Sequence, residues 1–200
     1  MAKQRLARLL PYWRAFFLFL LLGFGLGIVF ANLSWRYREE EGGLFSLALL
    51  KGMGEQQPDL WNYFRYLVRQ RAGIGLVYGG LGMTVLGVPA VTAGLLWLGF
   101  LGGALCTMGI LQAGLQGFGA VLGGVVPQLI FGLPGLFLFL AVVYQMSERN
   151  MKRERLNGRD YVSYLLGCIL GLLIFLLGTG VESLVGPKIL QIIVENITKN

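Results

Sequence analysis

The chain has 200 residues, of which 56% are hydrophobic and 14% are charged, and its formal net charge is +7. A soluble domain carries roughly 25% charged residues, whereas no Asp, Glu, Lys or Arg occurs here from Ala72 to Ser147. This composition excludes an ordinary soluble domain and predicts a single membrane domain, 1–200, with several spans. The positive charge is assigned to loops that flank the membrane, not to nucleic-acid binding.

The first predicted element is a membrane span that follows a basic segment. Residues 1–14 hold four basic residues and no acid, and the apolar run 15–33 follows them. The positive-inside rule predicts that this segment is cytoplasmic. A cleaved signal peptide is the competing interpretation, because Val29-Phe30-Ala31 resembles a cleavage site. The apolar run is longer than a usual signal core, which favours an uncleaved span.

Residues 34–71 form a mixed segment of six basic and five acidic residues, which we expect on the extracytoplasmic side. The stretch "PDLWNYFRYLVRQRAG", 58–73, predicts an amphipathic helix. Pro58 and Asp59 suit its first turn, and Gly73 suits its end. Two interpretations stay open, a solvated connector and a docking surface outside the cytoplasmic membrane.

The long uncharged stretch must contain an odd number of spans. The loop 147–160 has five basic and three acidic residues and is predicted to be cytoplasmic, like the N-terminal segment. Three spans need about 60 residues. A break near Gly87-Val88-Pro89 then gives spans at 73–87 and 90–109, and the last of the three is expected at 129–146.

The remaining residues fall on "LQAGLQGFGAVLGGVVPQ", 111–128. We expect the region 109–127 to form a re-entrant or interfacial half-helix that ends at Pro127. Pro127, Gln128 and Pro134 would make a break packed inside the bundle, where irregular backbone is tolerated and Gln128 can satisfy freed backbone groups. One long kinked helix is the alternative.

The last predicted span, 161–178, is followed by an extracytoplasmic C-terminal segment, 182–200. The apolar stretch is too long for one bilayer core, so the chain should emerge near Glu182. Pro187 can then redirect it into an amphipathic interfacial helix. Glu182 is interpreted either as a hydrated marker of the span's end or as a partly buried acid that binds a partner, Arg69 or Arg71.

Glycine is frequent, with 31 residues. In a membrane, small residues let helix backbones approach closely. Five pairs with four-residue spacing are candidates for such contacts: Gly23/Gly27, Gly75/Gly79, Gly99/Gly103, Gly119/Gly123 and Gly167/Gly171.

The residues that carry catalysis are scarce. The chain has no histidine, and its central stretch has no carboxylate, Lys or Arg. Cys106 and Cys168 are interpreted as small buried hydrophobes, because two such residues give no metal-site spacing. We therefore expect no enzyme, cofactor or metal site. A noncatalytic membrane scaffold is the leading interpretation, and a membrane subunit of a transporter or permease is the alternative.

Three stretches in chain order resemble signatures of one family. "LGFLGGALCTMGI" (98–110), "VVPQLIFGLPGLFL" (125–138) and "GVESLVGPKIL" (180–190) are similar to successive segments of the stage II sporulation protein M family. The positions that match the family pattern are candidate structural or partner-contact residues, namely Gly99, Phe100, Gly103, Pro127, Gln128, Pro134, Glu182 and Pro187.

The resemblance implies an all-α, polytopic helix bundle of about five spans in the bacterial cytoplasmic membrane, with the N-terminus cytoplasmic and the C-terminus outside. It also implies a scaffold in endospore formation that recruits peptidoglycan-degrading partners to the septum during engulfment. The implied partners are the lipid bilayer and stage II sporulation proteins P and D, or equivalent cell-wall hydrolases. Whether the chain forms a homo-oligomer is left open.

Overall fold

The computed structural model describes residues 2–37, 60–154 and 157–198, and these ranges form four helices and no strand. The helices are α1 (Ala2–Tyr37), α2 (Leu60–Gly82), α3 (Gly87–Met151) and α4 (Gly158–Thr198). The expectation of an all-helical chain is confirmed for this part of the sequence. Residues 38–59 of the predicted segment 34–71, and residues 199–200, lie outside the described residues.

Helix α3 folds back on itself. It contains 65 residues, and a straight helix of that length would span about 97 Å. Its two ends nevertheless meet, because the backbone N–H of Val88 donates to Ser147 Oγ at 3.0 Å. Gly114, between them, has a φ of 58°, a left-handed conformation outside the α-helical region. We call residues 87–111 the first limb of α3 and residues 132–151 the second limb.

Five helical segments therefore run between the same two ends of the bundle: α1, α2, the two limbs of α3, and α4. We call the end at which α1 begins the near end. There the Tyr12 hydroxyl of α1 donates to Glu148 Oε2 of the second limb at 2.6 Å. The Asn150 side chain donates to the Met83 carbonyl at 2.9 Å, which brings the turn between α2 and α3 to the same end.

We call the opposite end, at which α2 begins, the far end, and the middle of α2 is bonded to α4 on the far-end side of the bundle. Arg71 Nη1 of α2 donates to Thr179 Oγ1 of α4 at 2.6 Å. The Tyr164 hydroxyl, near the start of α4, bonds the Gly79 carbonyl near the end of α2. The two helices are therefore antiparallel.

The second limb of α3 is the central element of the core. Helix α1 packs against α3 on one side, and α4 packs against it on another, while α2 contacts α3 and α4. The second limb supplies most of the buried cluster, which consists of Phe16, Val91, Leu95, Phe137, Phe139, Leu140, Ala141, Val143, Met146 and Tyr164. Burial of these side chains orders the five segments around one element.

Three stretches of the described residues are long and apolar enough to cross a membrane. They are Tyr12–Arg36, Gly87–Leu111 and Gly158–Gly180. They correspond to the expected first, third and fifth spans. The second and fourth expected spans, in α2 and in the second limb, are not confirmed by length and hydropathy, so the count of five spans stays a prediction.

The predicted break at Gly87-Val88-Pro89 is displaced by a few residues. The turn occupies residues 83–86, and α3 begins at Gly87. Pro89 therefore lies in the first turn of α3. The N–H groups of a helix's first turn have no intrahelical partner, so a proline costs little there. Pro89 belongs to the start of a helix and does not end one.

The predicted end of an amphipathic helix at Gly73 is also wrong. Helix α2 continues through Gly73 to Gly82, so the basic stretch and the apolar stretch after it form one helix. Glycine costs about 1 kcal/mol in a helix interior. That cost does not stop the helix, because the flanking turns pack against α3 through Tyr78 and against α4 through Arg71.

The backbone does not break at the prolines on which the sequence analysis relied. Helix α3 is continuous through Pro127 and Pro134, and α4 continues through Pro187 to Thr198. The Pro-broken or re-entrant segment is not confirmed, and the observed reversal of α3 is marked by Gly114. The separate interfacial helix expected after Glu182 is instead the continuation of α4.

Candidate functional site

The closest helix contact among the described residues involves four of the predicted glycines. Gly23 and Gly27 of α1 face the first limb of α3, and Gly99 and Gly103 face α1 in return. A Cβ atom at any of the four would overlap a backbone carbonyl of the opposite helix. We call these four residues the glycine seam. Van der Waals packing at such small-residue contacts is a main source of helix association in lipid.

Phe100 lies between Gly99 and Gly103 in the sequence and makes aromatic contacts beside the glycine seam. Its ring stacks on Trp97 with centroids 5.6 Å apart, and it packs against Phe30 of α1 at 5.3 Å. Gly99, Phe100 and Gly103 are therefore brought together, and their contacts are with α1.

The other predicted glycine pairs differ in their surroundings. Gly167 and Gly171 of α4 pack on Val142 and Phe139 of the second limb. By contrast, a Cβ at Gly79 or Gly119 would meet no atom within 4 Å. Four-residue spacing alone thus does not distinguish a packed glycine from an open one.

A buried hydroxyl holds the near end together. Ser147 is fully buried, and its Oγ accepts a hydrogen bond from the Val88 N–H and donates one to the Thr84 carbonyl at 2.7 Å. The Val88 N–H is one of the donors that a helix start leaves unpaired, so Ser147 caps α3 from a distant part of the chain. The sequence predicts a loop at Ser147, and no local pattern marks the role of this residue.

Charged groups make further contacts at the near end. Glu148 accepts hydrogen bonds from Lys152 Nζ at 2.7 Å and from the Tyr12 hydroxyl at 2.6 Å. The hydrogen bond from Lys152, followed by that from Tyr12, lowers the pKa of Glu148 below its usual value. Arg149 bonds both Glu154 at 2.9 Å and Asp160 at 3.0 Å, which ties the end of α3 to the start of α4.

The far end holds an arginine against α4. Besides its bond to Thr179, the Arg71 guanidinium lies 5.2 Å from the centre of the Phe175 ring, within cation–π distance. Thr179 is fully buried, and its hydroxyl also donates to the Phe175 carbonyl. Phe175, Thr179 and Glu182 lie at positions i, i+4 and i+7 of α4, so they share one helix face.

The structure does not gather the remaining predicted positions into one site. Pro127 and Gln128 lie in α3 between its two limbs, and Glu182 and Pro187 lie in the second half of α4. The side chains of these four residues are outside the described residues. Pro134 is exposed near the start of the second limb.

The described residues contain no group of three or more His, Cys, Asp or Glu side chains that could hold a metal ion. Cys106 and Cys168 are free thiols and half-buried, less enclosed than the sequence analysis expected. The polar contacts described above, at the near end and at Arg71, join helical segments of the bundle to one another.

A comparison with family profiles identifies the family. The profile described as Stage II sporulation protein M matches residues 15–187, which is most of the chain. The chain belongs to the stage II sporulation protein M family. No curated protein and no solved structure matched it in the corresponding comparisons.

Membership of the stage II sporulation protein M family confirms the resemblance noted in the sequence and indicates a sporulation-related membrane protein. This family is not a known catalytic family. The matched residues include the glycine seam, both limbs of α3 and the positions of Glu182 and Pro187.

Proposed function

We propose that the chain is a noncatalytic scaffold of the bacterial cytoplasmic membrane, which recruits peptidoglycan-degrading partners to the septum during engulfment in endospore formation. The observation that carries this proposal is the family match over residues 15–187. The named partners are stage II sporulation proteins P and D or equivalent cell-wall hydrolases, as the resemblance of the three sequence signatures implies.

The near end of the bundle is cytoplasmic in this proposal, and the far end faces outward. The two basic segments that the sequence assigns to the cytoplasm, 1–14 and 147–160, meet at the near end through Tyr12 and Glu148. Positive residues flanking spans favour the cytoplasmic side. The far end then reaches the compartment in which cell-wall hydrolases act.

All five helical segments cross the membrane in this proposal. Each begins at one end of the bundle and finishes at the other, and α2 and the second limb pack alongside the three apolar spans. An odd number of crossings leaves the N-terminus and the C-terminus on opposite sides.

The partner surface is placed at the far end. Helix α4 continues for about 18 residues beyond Gly180, or roughly 27 Å, and α2 begins beside it. Glu182 is the second residue of this continuation, and its position in the helix repeat lies on the same face of α4 as Thr179. An acid there can bind Arg71 or a basic group of a partner, so we propose Glu182 as the residue that fixes the continuation for docking.

Affinity capture from membranes of sporulating cells tests the proposal. The intact protein should co-purify with peptidoglycan-degrading enzymes. Glu182→Gln should reduce this capture more than tenfold, because a hydrogen bond to a charged group contributes roughly 1.5–3 kcal/mol. Glu154→Gln at the near end is the matched control and should leave capture unchanged.

Two results would contradict the scaffold. Absence of any hydrolase from the captured proteins would oppose recruitment, and co-purification of an ATPase subunit in its place would favour a transporter. Equal capture by Glu182→Gln and the wild type, at equal membrane levels, would remove Glu182 from the docking surface while leaving the scaffold in place.

A further inference from the structure

A cleft opens on the side of the bundle between α2 and the first limb of α3. Its volume is about 530 Å³, within the range of about 300–1,000 Å³ typical of small-molecule pockets. Ile74 and Tyr78 of α2 form one wall, and Trp97 and Leu98 form the other. The second limb and α4 form its floor, where Phe139, Leu140 and Leu172 lie.

Two glycines make room for this cleft. Gly75 and Gly94 both lie in its lining. A Cβ at Gly94 would overlap the Tyr78 hydroxyl, and one at Gly75 would overlap the tip of Leu172. Helix α2 therefore lies close to α4 at Gly75 and close to the first limb at Gly94. A larger side chain at either position would displace a residue of the cleft wall or floor.

The cleft changes from apolar to polar along its length. Its body is lined by aliphatic and aromatic side chains, whereas Gln70 and Arg71 lie at its far-end mouth. Arg71 is held in place there by Thr179 and Phe175. Arg69, one residue before Gln70, lies exposed in a shallow groove on the adjoining surface of α2, and that groove shares Gln70, Ile74 and Tyr78 with the cleft.

The cleft also opens sideways, toward the surroundings of the bundle. Ile74, Trp97 and Leu98 at its opening are all exposed large hydrophobic side chains. The first limb is long and apolar enough to cross a membrane, so in the membrane arrangement of the proposed function this opening faces the acyl chains of the bilayer. The cationic mouth then lies toward the headgroups of the far-end leaflet.

We propose that this cleft binds a membrane phospholipid with an anionic headgroup. One acyl chain lies between Ile74 and Trp97, and the phosphate lies at the mouth with Gln70 and Arg71. The apolar body gives affinity for the chain, and the Arg71 guanidinium selects the negative headgroup, because arginine binds phosphate through paired hydrogen bonds. A zwitterionic lipid fits the body equally well but gains less at the mouth.

Quenching of Trp97 fluorescence by brominated lipids tests this proposal. The chain has four tryptophans, so Trp13, Trp35 and Trp61 are replaced by Phe. The purified variant is placed in phosphatidylcholine vesicles that contain a minor fraction of either dibrominated phosphatidylglycerol or dibrominated phosphatidylcholine. We expect the apparent affinity of the quenching site to be about fivefold higher for the anionic lipid, which is the effect of one favourable cation at a lipid surface.

Two pairs of variants separate a bound lipid from the general lipid shell. Leu98→Phe narrows the cleft and should reduce quenching by the anionic lipid. Leu101→Phe, the same change one turn further along, is the control, since Leu101 is similarly exposed (39% against 41%) but does not line the cleft. Arg71→Gln should reduce the preference for the anionic lipid, whereas Arg69→Gln, at an exposed arginine of α2 that does not line the cleft, should preserve it.

Equal quenching by the two lipids would overturn the proposal, as would equal effects of Leu98→Phe and Leu101→Phe. Absence of quenching by both lipids, together with a disulfide between two copies of Leu98→Cys, would show that a second copy of the chain covers the cleft. That result would also overturn it.

Discussion

At the scale of single residues, buried hydroxyl groups carry contacts that join distant parts of the chain. Ser147 bonds the turn before α3 and the first turn of α3, and Thr179 bonds Arg71. Each hydroxyl is fully buried. Leaving a buried donor or acceptor unpaired costs more than an average hydrogen bond contributes, so these small side chains should be sensitive positions.

Ser147→Ala should lower the free energy of unfolding by about 1–3 kcal/mol, because it leaves the Val88 N–H and the Thr84 carbonyl without this partner. Thermal unfolding in detergent, followed by tryptophan fluorescence, measures the change. Ser163→Ala, at an exposed position of α4, is the control and should have little effect. Equal melting temperatures for the two variants would show that Ser147 does not cap α3.

Stability should also depend on pH through Glu148. The pKa of Glu148 is lowered in the folded protein, so its contribution is fully present above the unfolded-state pKa of about 4.3 and is lost as the pH falls through the folded-state pKa. The bond to Glu148 raises the pKa of Lys152, so that contribution is lost when the pH rises through the raised value.

Glu148→Gln should therefore flatten the stability profile at both its acidic and its alkaline limit. Melting temperatures across a pH series measure this, and Glu154→Gln is the control because its ion pair with Arg149 is exposed and contributes under about 1 kcal/mol. A Glu148→Gln profile that falls as steeply as the wild type at low pH would assign the acid sensitivity to other carboxylates.

At the scale of elements, the reversal inside α3 decides the architecture. The helix returns to its own start, and Gly114 has a left-handed backbone in the residues between the two limbs. A Cβ at Gly114 would meet no atom within 4 Å, so a substitution there acts through the backbone alone.

Gly114→Ala should destabilise the protein by about 1–2 kcal/mol, the cost of a left-handed conformation for an ordinary residue. Gly119→Ala is the matched control, because that site also has open space but no positive φ. It should be neutral or stabilising by up to about 1 kcal/mol, since alanine favours helix. Thermal unfolding separates the two, and a stabilising Gly114→Ala would show that the helix does not need this glycine to turn.

Much of the element order could be predicted from the sequence, because charge and hydropathy are local properties. The uncharged stretch, the basic loop and the parity of the spans predicted five spans, a count that stays a prediction. They also placed the excess residues at 111–128, and the left-handed Gly114 lies within that stretch. Three of the expected spans are found as apolar helices.

The boundaries and the contact residues were less predictable, because packing decides them. Pro89 could equally end a helix or begin one, and the cap from Ser147 is supplied by a residue 59 positions away. Gly99 and Gly103 have the same four-residue spacing as glycine pairs whose members, such as Gly79 and Gly119, have no neighbour within 4 Å. Only the close approach of α1 distinguishes Gly99 and Gly103 from those glycines. Thr179 had no local signal, since its partner Arg71 lies on another helix.

At the scale of the whole molecule, the two ends of the bundle have different construction. The near end is fastened by ion pairs and by Ser147, whereas the far end carries Arg71 and the continuation of α4. In the proposed scaffold, the near end fixes the bundle in the cytoplasm and the far end presents the docking surface.

Cysteine labelling in whole cells should place the two ends on opposite sides of the membrane. In a variant without Cys106 and Cys168, Trp61→Cys at the far end should react with a membrane-impermeant maleimide in intact cells. Arg159→Cys at the near end should react only after permeabilisation, because the cytoplasm shields it. Both residues are exposed on the bundle, so a reversed pattern would mean a reversed orientation.

Site-specific photo-crosslinking in sporulating cells is the most direct measurement of the central claim, that the far end of a membrane scaffold recruits peptidoglycan-degrading enzymes. A photo-reactive amino acid replaces Trp61 at the far end or Arg159 at the near end, and the crosslinked proteins are identified. The scaffold predicts hydrolase crosslinks from position 61 and none from position 159. Hydrolase crosslinks from position 159 alone, or from neither position at wild-type protein levels, would contradict it.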